Sequence, residues 1–77
     1  MSEIESMIVA QLQNILDLWK VTYNVEDEKY VAKTNSLVIL NSDQIEWIGH
    51  MGLSVFSIQR YEDTLTVRFS SGGGCCN

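Results

Sequence analysis

The chain has 77 residues, with ten acidic and five basic side chains and a formal net charge of −5. Apolar residues make up 45% and proline is absent, so the length allows one small domain and the composition argues against wholesale disorder. No apolar run approaches the ~20 residues that cross a bilayer, which excludes a helical span and predicts no membrane partner. The acidic balance is spread, at −3 for residues 1–35 and −2 for residues 36–77. With no evident cluster of lysine or arginine, direct nucleic-acid binding is not expected.

Residues 2–20 read as a helix. Ser2 can cap the first turn, and Glu5 completes a capping box. Ile4, Met7, Ile8, Leu12, Ile15, Leu16, Leu18 and Trp19 fall on one apolar arc of roughly 200°, wider than the ~100° stripe of a surface helix. Such an arc implies deep burial or a second apolar contact, as in a homodimer. Gln11 falls inside it and needs a partner if buried.

Residues 20–25 switch to a period of two, with Val21, Tyr23 and Val25 on one side of a strand. Glu26, Asp27 and Glu28 make an acidic turn. Residues 29–33 read as a second strand, placed at an edge by its flanking lysines. Thr34 and Asn35 turn the chain, and Leu37–Leu40 is a continuous apolar run suited to a strand covered on both faces. Whether 26–35 forms strand or loop is left open by the pattern.

A second helix follows over about Ser42–Met51. Asn41 and Gln44 stand at capping-box positions, Leu40 and Ile45 at staple positions. Gly52 suits the left-handed residue that ends a helix, with Leu53 placed to meet Ile48. Residues 54–70 then read as a hairpin closed by Glu62 and Asp63. That register opposes Tyr61 to Thr64, Ile58 to Val67 and Phe56 to Phe69, with Ser57, Arg68, Gln59 and Thr66 on the other side.

These elements predict an α+β two-layer sandwich, with both helices on one face of a mostly antiparallel sheet of four or five strands. The order α-β-(β)-β-α-β-β is that of a permuted ferredoxin-like fold. Residues 1–70 form the domain, and 71–77 read as a mobile glycine- and cysteine-bearing tail.

The chemistry is sparse. Cys75 and Cys76 are two thiols where a structural zinc takes four ligands, and Gly72–Gly74 lacks the following helix and lysine of a phosphate loop. The Glu26–Glu28 run lacks the spacing of a calcium loop. His50 can meet Glu46 one helical turn away, but no nucleophile setting accompanies them. No catalytic residue, metal or cofactor is therefore assigned. Trp47, Tyr61 and Arg68 are the candidate partner-binding residues, being anchor types on polar faces.

The expectation is a small non-catalytic protein-interaction or regulatory module with an unidentified protein partner. The alternative is an acidic nucleic-acid mimic of phage or mobile-element type that blocks a DNA- or RNA-binding protein. Acidic residues ahead of the first apolar stretch do not resemble a secretory signal, and a body without cysteine fits a reducing compartment. The expected location is cytoplasmic.

Overall fold

The computed structural model describes residues 3–35 and 40–71. Two helices, α1 (Glu3–Ile15) and α2 (Ser42–His50), cover one face of a four-stranded antiparallel sheet. Its strands are β1 (Lys20–Asn24), β2 (Lys29–Thr34), β3 (Leu53–Tyr61) and β4 (Thr64–Ser71), in the spatial order β1-β2-β4-β3. This is the two-layer α+β arrangement that the patterning implies. Strands β2 and β3 are each antiparallel to β4, so they run parallel to one another with β4 between them. Helix α2 is the crossover that joins them, a split βαβ unit. The described order, α-β-β-α-β-β, is what a βαββαβ chain has when its first strand is moved to the end. The strand expected over Leu37–Leu40 falls on 36–39, outside the described residues, as do the Ser2 cap and the tail from Gly72 onward.

Helix α1 stops at Ile15, although the apolar period continues to Trp19. The cause is Gln13. Its Nε2 donates to the Leu16 carbonyl at 3.1 Å and to the Trp19 carbonyl at 2.6 Å, while its Oε1 accepts from the Val21 N–H at 3.2 Å. One amide thus closes the helix end and starts β1. Leu16 and Trp19 still reach the core, at 0% and 4% exposure, from the turn rather than the helix. Leu12 is fully buried and Ile8 and Ile15 pack against the core, but the margins of the wide arc are not buried: Ile4, Met7 and Leu18 face solvent. Gln11 is exposed and needs no buried partner.

Strand β2 is not an edge strand, as its lysines had suggested. It lies between β1 and β4. Tyr30, Ala32 and Thr34 are buried beneath the helices, and alternation sends Lys29 and Lys33 to the opposite face. The flanking charge marks a free sheet face, not a free edge. On the helix side Tyr30 stacks at 4.8 Å on Tyr23, whose hydroxyl is bonded to Glu5 of α1.

Helix α2 begins as its sequence dictates. Asn41 Oδ1 accepts from the Gln44 N–H at 2.8 Å, and Gln44 Oε1 accepts from the Asn41 N–H at 3.1 Å. Gln44 Nε2 also donates to the Ile15 carbonyl, so the cap of one helix satisfies the end of the other. Gly52 takes a φ of +82°, and Ile48 and Leu53 join the core.

The β3–β4 hairpin has the expected two-residue turn, and Glu62 takes a φ of 54°. The expected pairs hold from Tyr61↔Thr64 to Ser57↔Arg68. Beyond them a β-bulge at Phe56 shifts the register, and Val55, not Phe56, opposes Phe69. The extra residue turns Phe56 away from the helices, correcting its expected place on the apolar side.

Candidate functional site

The placement of charge is the feature that singles out a surface. All five basic residues lie on strands: Lys20, Lys29, Lys33, Arg60 and Arg68. None of the ten acidic residues does. Glu3, Glu5, Asp43 and Glu46 are on helices, and Asp17, Glu26, Asp27, Glu28, Glu62 and Asp63 are in turns. Opposed residues of antiparallel strands share a face. Val21, Ala32, Val67 and Ile58 define the helix side, so Lys20, Lys33, Thr66 and Gln59 form one row on the open side. The next row is Thr22, Val31, Arg68 and Ser57, and Lys29 follows beside Asn24. Only Arg60, opposite Leu65, points to the helix side. Among the described residues the strands of the open face therefore carry four cations and no carboxylate, while Asp17 and Asp27 reach its two hollows from the adjoining turns. Strand register thus brings together basic residues that form no cluster along the sequence.

Two hollows lie on this face. One, of about 510 Å³, runs past Lys20, Lys33 and Thr64 to Asp17 and Trp19 at the sheet's end. The other, of about 450 Å³, is bounded by Asp27, Lys29, Phe56, Ser57, Gln59 and Arg68. Its side chains are positioned. Arg68 Nη1 donates to Gln59 Oε1 at 2.8 Å. The Lys29 ammonium stands 4.7 Å from the Phe56 ring centroid and donates to the Asp27 carbonyl. The Asn24 side chain accepts from the N–H groups of Glu26 and Asp27 and so shapes the turn beside Lys29. Val31 is 7% exposed although it lies outside the core cluster, on an inner strand between Thr22 and Arg68.

Tyr61 and Arg68 share the open face, but Trp47 does not join them. Trp47 stands on α2 in the helical layer, 63% exposed, with its ring edge-on to His50 at 6.0 Å. Tyr61 is 76% exposed at the hairpin end, beside Glu62 and Asp63. Sequence reasoning missed Phe56 and the lysines. Phe56 depends on a bulge that no residue type announces. The lysines were legible, since each occupies the polar phase of a period-two segment.

His50 lies next to Trp47 on α2 and away from the open face. Among the described residues no group of three His, Cys, Asp or Glu side chains could hold a metal. Cys75 and Cys76 lie outside them. The carboxylates form no single row: the two acidic turns occupy opposite ends of the sheet. Exposed apolar side chains are scattered over the described residues, among them Ile4 and Met7 on α1, Ile45 on α2, and Val55 and Ile58 on the β3 edge. No helix among the described residues is long and apolar enough to cross a membrane. Comparisons with protein-family models, curated proteins and solved structures find no match.

Proposed function

We propose that this protein is a non-catalytic interaction module that docks an anionic macromolecule on the open face of its sheet. The observation that carries this reading is the separation of charge: every cation is on a strand, every carboxylate is off the strands, and four cations share one face. Lys20 and Lys33 are direct cross-strand neighbours, continued across the face by Thr66 and Gln59, with Asp17 approaching only from the turn before β1. Like charges so placed destabilise a sheet, and a bound anion relieves that cost. The strands of that face offer hydroxyls, an amide and rings beside the cations, which supports a binding role. An acidic mimic would need its carboxylates in a row, and the opposite-ended turns do not supply one.

Amide chemical-shift mapping with short inorganic polyphosphate tests this at low ionic strength. Shifts confined to Lys20, Lys29, Lys33, Arg68 and their strand neighbours are expected. No shifts, or shifts centred on α1 and α2, would overturn the reading.

A further inference from the structure

Building on that docking reading, we infer that the anion is a single-stranded nucleic acid, laid diagonally across the open face from Lys20 and Lys33 to Arg68, Lys29 and Phe56. The acidic turns set the direction. Glu26–Glu28 close the β1–β2 hairpin at one end of the sheet, and Glu62–Asp63 close the β3–β4 hairpin at the other. They occupy diagonally opposite corners and repel a polyanion running along the strands there. The other diagonal is cationic. Lys20 and Lys33 pair at the turn-free end of β1–β2, while Arg68 and Phe56 lie toward the turn-free end of β3–β4. Lys29 starts beside the acidic turn, but its ammonium reaches the Phe56 ring.

The aromatic residue distinguishes nucleic acid from an acidic polypeptide. Phe56 is 63% exposed, and the bulge turns it to the same side as the cations. An apolar ring held in water between Lys29 and Arg68 is a platform for a base, with phosphates on the flanking cations. Thr22, Thr66 and Ser57 lie between the cationic ends and offer hydroxyls to phosphate or sugar. An acidic peptide would match the charge and leave the ring unused. A duplex keeps its bases stacked and brings a second row of phosphates toward the acidic corners. Single strands present the bases that such a ring takes.

Fluorescence anisotropy with a labelled, mixed-sequence oligonucleotide of about 12 nucleotides tests this. The competitors are the same sequence as a duplex and a poly-glutamate peptide. The single strand is expected to bind most tightly. Neutralising three or four phosphates gives a slope of log K against log salt of about −2 to −3. Phe56→Ala should weaken binding on the order of 5- to 100-fold, with Phe56→Trp restoring it. Lys33→Gln and Lys29→Gln should each weaken binding and flatten the slope, and they carry the test if Phe56→Ala disturbs the bulge. Arg60→Gln removes the same charge from the other side of the sheet and should leave binding unchanged. Poly-glutamate or duplex binding as tight as the single strand overturns this inference but leaves anion docking standing. Equal losses in Arg60→Gln and Lys33→Gln overturn the assignment to this face. Failure of every polyanion to bind at low salt overturns both readings.

Discussion

The side chain of Gln13 joins α1 to β1, and its removal tests how the fold is held. Three hydrogen bonds meet on it: to the carbonyls of Leu16 and Trp19, and from the N–H of Val21. The Leu16 carbonyl keeps a second partner in the Trp19 N–H at 3.0 Å, so the loss centres on Trp19 and Val21. Val21 is only 7% exposed, and solvent reaches its N–H poorly. Each bond contributes about 0.5–1.5 kcal/mol net, more where a buried group is left unpaired. Gln13→Ala should therefore cost about 2–3 kcal/mol. For a domain this small that approaches the whole stability, about 3–5 kcal/mol. Thermal unfolding should fall by about 10–20 °C.

Two further variants separate bonding from packing. Gln13→Met keeps the length and loses every bond, so it should resemble alanine. Gln13→Glu keeps the acceptor for Val21 but aims a carboxylate at two carbonyls. Its folded pKa is then raised above the ordinary ~4.3. Its stability is fullest below that value and lost as pH rises through the raised one. Urea unfolding of the three variants is the assay. A loss below about 0.5 kcal/mol for Gln13→Ala, a surface-mutation value, would refute the role of the clip.

Glu62 sits at a φ of 54°, which costs a side-chain-bearing residue about 1–2 kcal/mol; Glu62→Gly should raise the melting temperature by several degrees. The hydroxyl of Tyr23 is pushed up first by burial and then by its bond to Glu5, and that of Tyr30 by burial. Unfolded tyrosines ionise first, so stability should be full below pH 10.0 and fall as pH rises through the raised values, as alkaline melting curves would record. Trp19 is 4% exposed and its Nε1 has no partner among the described residues, so Trp19→Phe should cost less than about 1.5 kcal/mol where Trp19→Ala costs about 3–5. Lys33→Gln removes one member of a like-charged pair and should raise stability by about 0.2–1 kcal/mol at low salt, a gain that salt abolishes.

The elements legible in the sequence were those set by local chemistry. Asn41 and Gln44 cap α2 as their spacing requires, and Gly52 ends it. The Glu62–Asp63 turn fixes the hairpin register up to Ser57. What escaped depended on contacts distant in sequence. The end of α1 is set by Gln13 reaching Val21, where the apolar period alone runs on to Trp19. The central place of β2 follows from β4, whose pairing no residue of β2 announces. The bulge at Phe56 follows from how β3 must leave α2 and still seat Val55 against Phe69. Of the candidate anchors, Tyr61 and Arg68 fall on one face and Trp47 on the other layer, because side-chain type carries no information about layer.

Net charge misled for a related reason. A sum over the chain discards phase, and a sheet face is a matter of phase. At −5 the molecule repels a polyanion from afar. That repulsion fades beyond a Debye length of about 8 Å at physiological salt. Inside that distance, an anion over the strands of the open face meets four cations, with Asp17 and Asp27 at the rim of its hollows. Attraction is then short-ranged, so the charge pattern gives little electrostatic steering. The association rate should stay near the unsteered 10⁵–10⁶ M⁻¹s⁻¹, and mutations on the face should act chiefly on dissociation. A protein built this way would hold a single strand longer than a base-free polyanion, because only the strand adds a base on Phe56 to the phosphates on the cations.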